Sequence, residues 1–511
     1  MRRRVLLFGL ILLIPLVLTS CELRSIVSDA VANEKQQGAI NEFAQKQEGP
    51  PYLVRYMFAT GKIPSDLNMV QDKISQITRE KINVELEFIP MSFGSINEKV
   101  NLKIASGEQL DIVFQRGYTL SADAARGFLT PLDDLLENYG QGIKLAAGDF
   151  LKATAINGVT YAVPTLRDMA ASYGLVARKD ILDKHNIDID SVNALEDVEE
   201  MFGIVKAKEP ELIITMPQFA GTQSVMTSGF ITWDNLGDSL GVLMDYGSGL
   251  EVVNLFETEE YKRNLEIIRR WYKRGFIWED ASIAADQANV LVGAGKLFSY
   301  FANLKPGFDR QESLRAGREL VMFEIKPPFA TTAQVALISL SIPVTSENPQ
   351  KTMQFLNLMY SNPEIINLLN WGIEGVHYVH VPQNDNLIRF PDGVDAITSG
   401  YNLALGWQFG NQLLSYIWEG NNPDLYAEMA DFNETAIKSK ALGFTFDSSM
   451  LNNEVAALST VMAQYRVPLE NGALDPDIML PVFTEALRDA GIDRVIIEKQ
   501  RQLDIWAGGT E

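Results

Sequence analysis

The alternation of apolar and polar positions predicts the first elements. Leu53 to Phe58 is an apolar run after Pro51, a strand that Thr60-Gly61-Lys62 interrupts. Ser65 is placed to cap a helix whose apolar residues Leu67, Val70, Ile74 and Ile77 follow one another at spacings of 3, 4 and 3, one helical face. Val84, Leu86 and Phe88 then alternate with Glu85 and Glu87, which is strand periodicity ended by Pro90. Ile96, Val100 and Ile104 mark a second helix stopping at Gly107, and Leu110 to Phe114 a third strand broken at Gly117. Strands separated by helices run parallel with right-handed crossovers, so this β-α-β-α-β stretch predicts the start of a doubly wound sheet. Ligands of such sheets sit beyond the carboxyl ends of the strands. That nominates three loops: Thr60–Lys62, Met91–Phe93 and Gln115–Thr119.

The later chain is more helical. Glu259 to Lys273 carries Leu265, Ile268 and Trp271 on one face and stops at Gly275. Asn348-Pro349 and Asn362-Pro363 each pair a capping residue with proline at the first helical position. Met353, Leu356 and Met359 form the inner stripe of the first of these helices, and the second ends before Gly372. Leu297–Phe301 and Val335–Ile342 read as strands. Strands that recur so far along the chain predict a return to the first lobe. No internal repeat or low-complexity tract is present.

The amino terminus changes the picture. Arg2, Arg3 and Arg4 precede the apolar run Val5–Leu18, which is shorter than the roughly 20 residues of a membrane-spanning helix and has the proportions of a signal-peptide core. It ends at Leu18-Thr19-Ser20-Cys21, which resembles the lipobox at which bacteria lipidate a cysteine and cleave before it. Cys21 is the only cysteine, so an internal disulfide, a cysteine zinc site and a redox pair are all excluded. Acylation is its expected role; an ordinary secretory signal, or an anchor helix that happens to contain a cysteine, is the alternative. Residues 22–51 are mostly polar, end in Gly49-Pro50-Pro51, and read as a tether. The roughly 460 residues beyond exceed what one core usually supports, so two lobes are expected. The net charge of −22 disfavours a nucleic-acid partner and gives no attraction to anionic lipid, leaving the anchor as the expected membrane attachment.

Catalytic and metal patterns are weak. His377 and His380 are three apart without a zinc-protease signature, and Asp188-x-Asp190 lacks the later ligands of a calcium loop. Gly293-Ala294-Gly295-Lys296 lacks the spacing of a phosphate loop and is expected to be a turn. Asp133-Asp134 and Glu279-Asp280 could be a glycosidase pair, but 66 acidic residues make such pairs common. No cofactor and no metal are expected. The aromatic residues carry more: Tyr118, Trp233, Trp271 and Trp278, then Trp371, Tyr378, Tyr401, Trp407 and Trp418, the last five among glycines and amides. Flat rings beside hydrogen-bonding side chains suit a sugar, whose C–H face they cover.

Asp111-Ile112-Val113-Phe114 followed by Gly127-Phe128-Leu129-Thr130-Pro131-Leu132-Asp133, then Asn157–Pro164, then Ala294–Leu297, stand in an order that resembles the family 1, sugar-binding, extracellular solute-binding proteins of ABC importers. Trp371–Tyr378, Phe444-Thr445-Phe446-Asp447 and Ala490-Gly491-Ile492-Asp493 … Trp506 resemble Firmicutes lipoproteins of this type that carry a carboxyl-terminal DUF3502 region. The resemblance covers nearly all of residues 52–511. It implies an α/β, two-lobed periplasmic-binding-protein-like fold of type II, closing on ligand about a hinge. On this reading lobe one is 52–163 plus 297–345, and lobe two is 164–296 plus 346–511. Hinges are expected near Val163–Thr165, Gly295–Phe301 and Ser341–Thr345. Position in the motifs nominates Thr60, Lys62, Gln115 and Tyr118 from lobe one, Arg167, Asp168, Trp233, Trp371, Glu374 and Trp407 from lobe two, and Asn303 near a hinge. The resemblance implies a monomeric, non-enzymatic lipoprotein, outside the cell or in the periplasm, that captures an oligosaccharide and delivers it to the transmembrane subunits of an ABC permease. A receptor presenting ligand to a sensor kinase and a surface glycoside hydrolase are the alternatives.

Overall fold

The computed structural model describes residues 49–192 and 194–508. Cys21, the apolar run before it and most of the tether lie outside the described residues.

The predicted β-α-β-α-β unit is present. β1 (Tyr52–Ala59), α1 (Leu67–Ile82), β2 (Val84–Met91), α2 (Ile96–Ser106) and β3 (Ile112–Arg116) follow in order, with β1 pairing β2 and β3 in parallel. Ser65 does not cap α1; its hydroxyl donates to the Gly400 carbonyl, and the helix starts after Asp66. α3 (Gly117–Ala125) leaves the end of β3, and β4 (Val163–Pro164) is the last strand before the chain crosses to the second lobe through 165–170.

The second lobe opens with β5 (Ala171–Arg178), followed by α4 (Leu195–Lys208), α5 (Glu259–Lys273), β6 (Ser299–Leu304), α6 (Phe308–Ala316) and β7 (Leu320–Ala330). β5 lies antiparallel between β6 and β7, with Tyr173 opposite Asn303 and Gly174 opposite Glu324. Bridges from Ile213 to Leu297, Thr215 to Ile277 and Pro217 to Phe301 continue this sheet beyond β6.

The chain returns through α7 (Thr332–Ala336) to β8 (Ile338–Ser341), which completes the first sheet in the order β2-β1-β3-β8-β4. α8 (Pro349–Ser361) and α9 (Pro363–Trp371) stay on that lobe, capped as predicted: Asn348 accepts from the Lys351 N–H, and Asn362 from those of Glu364 and Ile365. A small sheet follows, β9 (Val379–Val381), β10 (Asn384–Arg389) and β11 (Ile417–Trp418). The third crossing is α10 (Leu425–Thr435), after which β12 (Ile437–Lys438) pairs with β7 in the second sheet, ordered β12-β7-β5-β6. α11 (Asn452–Glu470), α12 (Pro476–Asp489) and α13 (Ile492–Gly508) pack on lobe two.

The lobes therefore divide differently from the sequence expectation. Residues 299–330 belong to lobe two, because β6 and β7 pair with β5 and not with the first sheet. Residues 349–371 belong to lobe one, because Met353, Leu356 and Met359 pack in one core with Val54, Tyr56 and Ile74. The expected hinges at Gly295–Phe301 and Ser341–Thr345 are replaced by 331–337 and the α10 segment. The physical reason is that an apolar run predicts a strand without naming its sheet; pairing is a tertiary contact. Val335–Ile342 also divides, since Thr331 accepts from the Gln334 N–H and starts a helical turn before β8.

Lobe two has the larger core, which joins Leu175, Phe202, Trp233, Trp271 and Phe301 to Leu458, Phe483 and Val495 of the last three helices. Lys499 of α13 is fully buried; its ammonium donates to Asp238 (2.5 Å) and the Gly241 carbonyl (3.3 Å) and lies 4.9 Å from the Phe446 ring. Burial pushes its pKa down against the pull of Asp238.

Candidate functional site

The carboxyl ends of β1, β2 and β3 are overlaid by residues 403–412, a segment that returns after α9. Gln408 pins it: its amide nitrogen donates to the Ala59 carbonyl (2.8 Å) and its side-chain oxygen accepts from the Ala59 N–H (3.2 Å). Gly410 is needed here, with φ of 53° and Met359 so close that a Cβ would collide with its carbonyl oxygen. Asn411 bridges Leu166 at the crossing, and the Thr165 hydroxyl donates to the Trp407 carbonyl (2.8 Å). The Trp407 ring is thereby held over the strand ends. It stacks on Phe93 at 6.0 Å and 22° and meets Phe114 edge-on at 6.1 Å. At the same strand end as Phe114, Tyr118 is 68% exposed, and Arg116 lies over the Phe114 ring and reaches the Tyr118 hydroxyl (3.3 Å). Trp407 and Phe93 form an aromatic shelf at the strand ends of lobe one, with exposed Tyr118 on the same edge of the sheet.

The crossing adjoins this segment and leads to lobe two and the end of β6. Arg167 is buried and donates to its neighbour Asp168 (2.9 Å) and to the Gln334 carbonyl (3.0 Å). Lys305, just after β6, pairs with the other oxygen of Asp168 at 3.2 Å. Burial alone would raise the Asp168 pKa, but Lys305 and Arg167 outweigh it and hold the carboxyl below its usual value. Asn433 of α10 braces the crossing, accepting from the Met169 N–H (2.7 Å) and donating to the Arg167 carbonyl (2.6 Å). Asn303 is exposed at the end of β6.

The nominated residues thus fall into three groups. Lys62, Tyr118, Arg167, Asp168, Asn303 and Trp407 stand at strand ends or crossings around the gap, with Trp407 on lobe one rather than lobe two. Thr60 and Gln115 are at strand ends but turned inward. The Thr60 hydroxyl closes its own turn onto the Lys62 carbonyl (2.8 Å), and Gln115 donates to Thr119 (2.7 Å) and Asp123 (2.6 Å), tying α3 to β3. Trp233, Trp371 and Glu374 lie elsewhere. Trp233 is 1% exposed in the core of lobe two. Trp371 is 8% exposed in a satellite cluster with Tyr378 and Trp418, its indole N–H donating to the Tyr416 carbonyl (3.1 Å). Glu374 is an exposed loop residue of lobe one, 3.9 Å from His380. A large ring contributes most to stability when wholly buried, and the sequence cannot separate such a ring from one held at a cleft. Phe93 and Arg116 are not among the nominated residues, although both fall in nominated loops. His377 and His380 do not converge on one ligand: His377 accepts from the Ile373 N–H (2.9 Å) and its other nitrogen faces Asp66 (3.2 Å). Among the described residues, no three His, Cys, Asp or Glu side chains are placed to hold a metal ion.

Two α/β lobes joined by three crossings, with exposed rings and polar side chains at the gap, define a hinged solute-binding protein. The chain belongs to the bacterial extracellular solute-binding proteins, which it matches over residues 74–374, and residues 440–508 match the domain of unknown function DUF3502. It is 28% identical over 460 residues to a carbohydrate ABC transporter substrate-binding protein of Streptococcus pneumoniae serotype 4, covering 88% of this chain and 90% of that one. The crystal structure of the N-glycan transport solute-binding protein NgtS from S. pneumoniae matches with a TM-score of 0.79 at 24% identity, covering 90% of this chain and all of that one. NgtS in complex with Man5GlcNAc gives 0.64 at 24% identity, covering 90% of this chain and 99% of that one. The alginate-binding protein AlgQ2 without calcium gives 0.59 at 17% identity, covering 89% and 99%. The two-lobed solute-binding fold expected from the sequence is therefore the fold of this chain, and the expected DUF3502 region is present.

Proposed function

We propose that this protein is the extracellular substrate-binding component of an ABC importer that captures an oligosaccharide between its lobes and delivers it to the permease. The aromatic shelf of Trp407 and Phe93 at the strand ends, with exposed Tyr118 on the same edge and the Trp407 carbonyl tied to Thr165 of the crossing, is the observation that carries the reading. Stacked rings cover the apolar face of a sugar while Asp168, Lys305 and Asn303 read its hydroxyls. A sugar touching both the shelf and the crossing binds the closed arrangement best and shifts the population toward it. The name of the 28% identical relative and the glycan complexes of NgtS support a carbohydrate as the solute.

Calorimetry on residues 22–511 with a panel of mannose, glucose, fructose and uronate oligosaccharides tests the reading. Binding of at least one is expected; binding of none overturns it. Attachment to the membrane is assigned to lipidated Cys21, which holds the protein at a high effective concentration near its permease. Cys21→Ala is expected to move the protein from the membrane fraction to the soluble extracellular or periplasmic fraction with solute affinity unchanged. Persistence in the membrane fraction sinks the anchor.

A further inference from the structure

A cavity of about 750 Å³ lies beside the hinge, apart from the aromatic shelf. One wall is lobe two: the end of β6, the first turn of α6, and Met322 and Glu324 on β7. The other is α10, which presents Leu425, Glu428, Asp431, Phe432 and Thr435, all on one helical face, together with residues 420–422 before it. α10 is braced to the crossing through Asn433 and linked to the shelf segment through the hydrogen bond from Gln412 to Tyr426 (3.2 Å). The volume falls within the ~300–1,000 Å³ of small-molecule sites.

The lining is specific about its occupant. Leu304, Met322 and Phe432 provide apolar surface. Asp309, Glu324 and Asp431 supply carboxylates, and Arg310 a guanidinium. None of these four side chains has an ion pair or hydrogen bond within the described structure. Acceptors and donors of both charges around an apolar floor disfavour a strongly charged ligand and suit a neutral polyhydroxylated ring. The crossing links the cavity lining to the shelf segment. Lys305 lines it and is ion-paired to Asp168, and Thr165, whose hydroxyl holds the Trp407 carbonyl, is three residues upstream of Asp168. Three residues of chain span at most roughly 10 Å, so Thr165 and Asp168 lie within the reach of a chain of a few sugars.

We propose that this cavity is a second carbohydrate subsite, which takes the distal units or a branch of a glycan whose other end lies on the Trp407 shelf. The inference rests on the carbohydrate reading above and deepens it: the preferred solutes are oligosaccharides long or branched enough to reach both places, and short ones use the shelf alone. Because the walls are carried by lobe two and by the hinge helix, the longer ligand also contacts both sides of the hinge.

Calorimetry with short and long pairs, Man1GlcNAc against Man5GlcNAc, maltose against maltoheptaose, and kestose against a longer fructan, tests this in the parent protein and in Glu428→Trp and Asp431→Ala. Both substituted positions are exposed on α10, and thermal unfolding checks that each variant folds. In the parent, the longer member of the binding pair is expected to bind about tenfold tighter or better. Glu428→Trp, which puts an indole ring at the cavity wall to obstruct it, should remove that advantage, and Asp431→Ala should reduce it, with the short member changed by less than about twofold. Equal affinity for short and long members in the parent overturns the subsite. Variants that leave the long member unaffected, or weaken both members equally, also overturn it while the carbohydrate reading stands. A parent that binds no glycan removes that reading and the subsite with it.

Discussion

Asp111, the acidic residue that opens the Asp-Ile-Val-Phe motif, is expected to be a stability residue rather than a ligand residue. It is fully buried at the start of β3, away from the carboxyl ends. One carboxylate oxygen accepts from Tyr52 (2.6 Å), Ser346 (2.5 Å) and Thr352 (3.3 Å); the other accepts from the Arg55 N–H (2.9 Å) and Gln109 (2.9 Å). The hub joins β1, β3 and the start of α8. Not every donor is stranded when it is removed. Thr352 also donates to the Asn348 carbonyl (3.1 Å), Gln109 to the Leu53 carbonyl (3.0 Å), and Ser346 lies within reach of Thr352 (3.1 Å). The Arg55 N–H and the Tyr52 hydroxyl are left without an acceptor. At ~1–3 kcal/mol for each unsatisfied donor, Asp111→Ala should cost about 2–6 kcal/mol, a large part of the ~5–15 kcal/mol of a typical domain. Asp111→Asn keeps one acceptor oxygen and should cost less. Urea unfolding of residues 22–511, followed by tryptophan fluorescence, measures this, and calorimetry on the folded variant should give unchanged solute affinity. A loss below about 1 kcal/mol in Asp111→Ala would refute the account of the hub.

Trp407→Ala should weaken glycan binding by roughly 30-fold, about 2 kcal/mol for an aromatic anchor, because it removes the ring at the centre of the shelf. The ring also packs on Phe114 of the lobe-one core, so the midpoint of thermal unfolding should fall as well; a folded variant with parental affinity would displace Trp407 from the site. Glu199 is expected to set an acid-dependent contribution. Its carboxyl is held at about 2, below the ordinary 4.5, mainly by the Arg270 guanidinium, with help from the Trp271 indole and Arg274. A lowered folded pKa stabilises fully above the unfolded value and is lost as pH falls toward the folded one. Glu199→Gln should therefore cost about 1 kcal/mol at pH 7, after allowance for solvent screening. The gap to the parent should close between about pH 4.5 and pH 2. A pH-independent gap, measured by urea unfolding across that range, would contradict this.

Elements whose causes are local were legible in the chain. The β-α-β-α-β start follows from period-two and period-3.6 patterns, and the starts of α8 and α9 from Asn-Pro pairs whose caps form within three residues. The strand-end loops followed from the same patterns, because parallel order places them at one edge, and they contain Phe93 and Tyr118. The rest followed from contacts between distant parts of the chain. Residues 299–304 are a strand in either lobe as far as their composition goes; only the pairing of Tyr173 with Asn303 places them in lobe two. Trp233, Trp371 and Trp407 are alike as residue types. The first two are enclosed by neighbours distant in sequence, and the third is left at the gap by Gln408 holding Ala59, some 350 residues earlier in the chain. Which ring meets solvent depends on contacts made across the whole chain, and no local pattern carries that information.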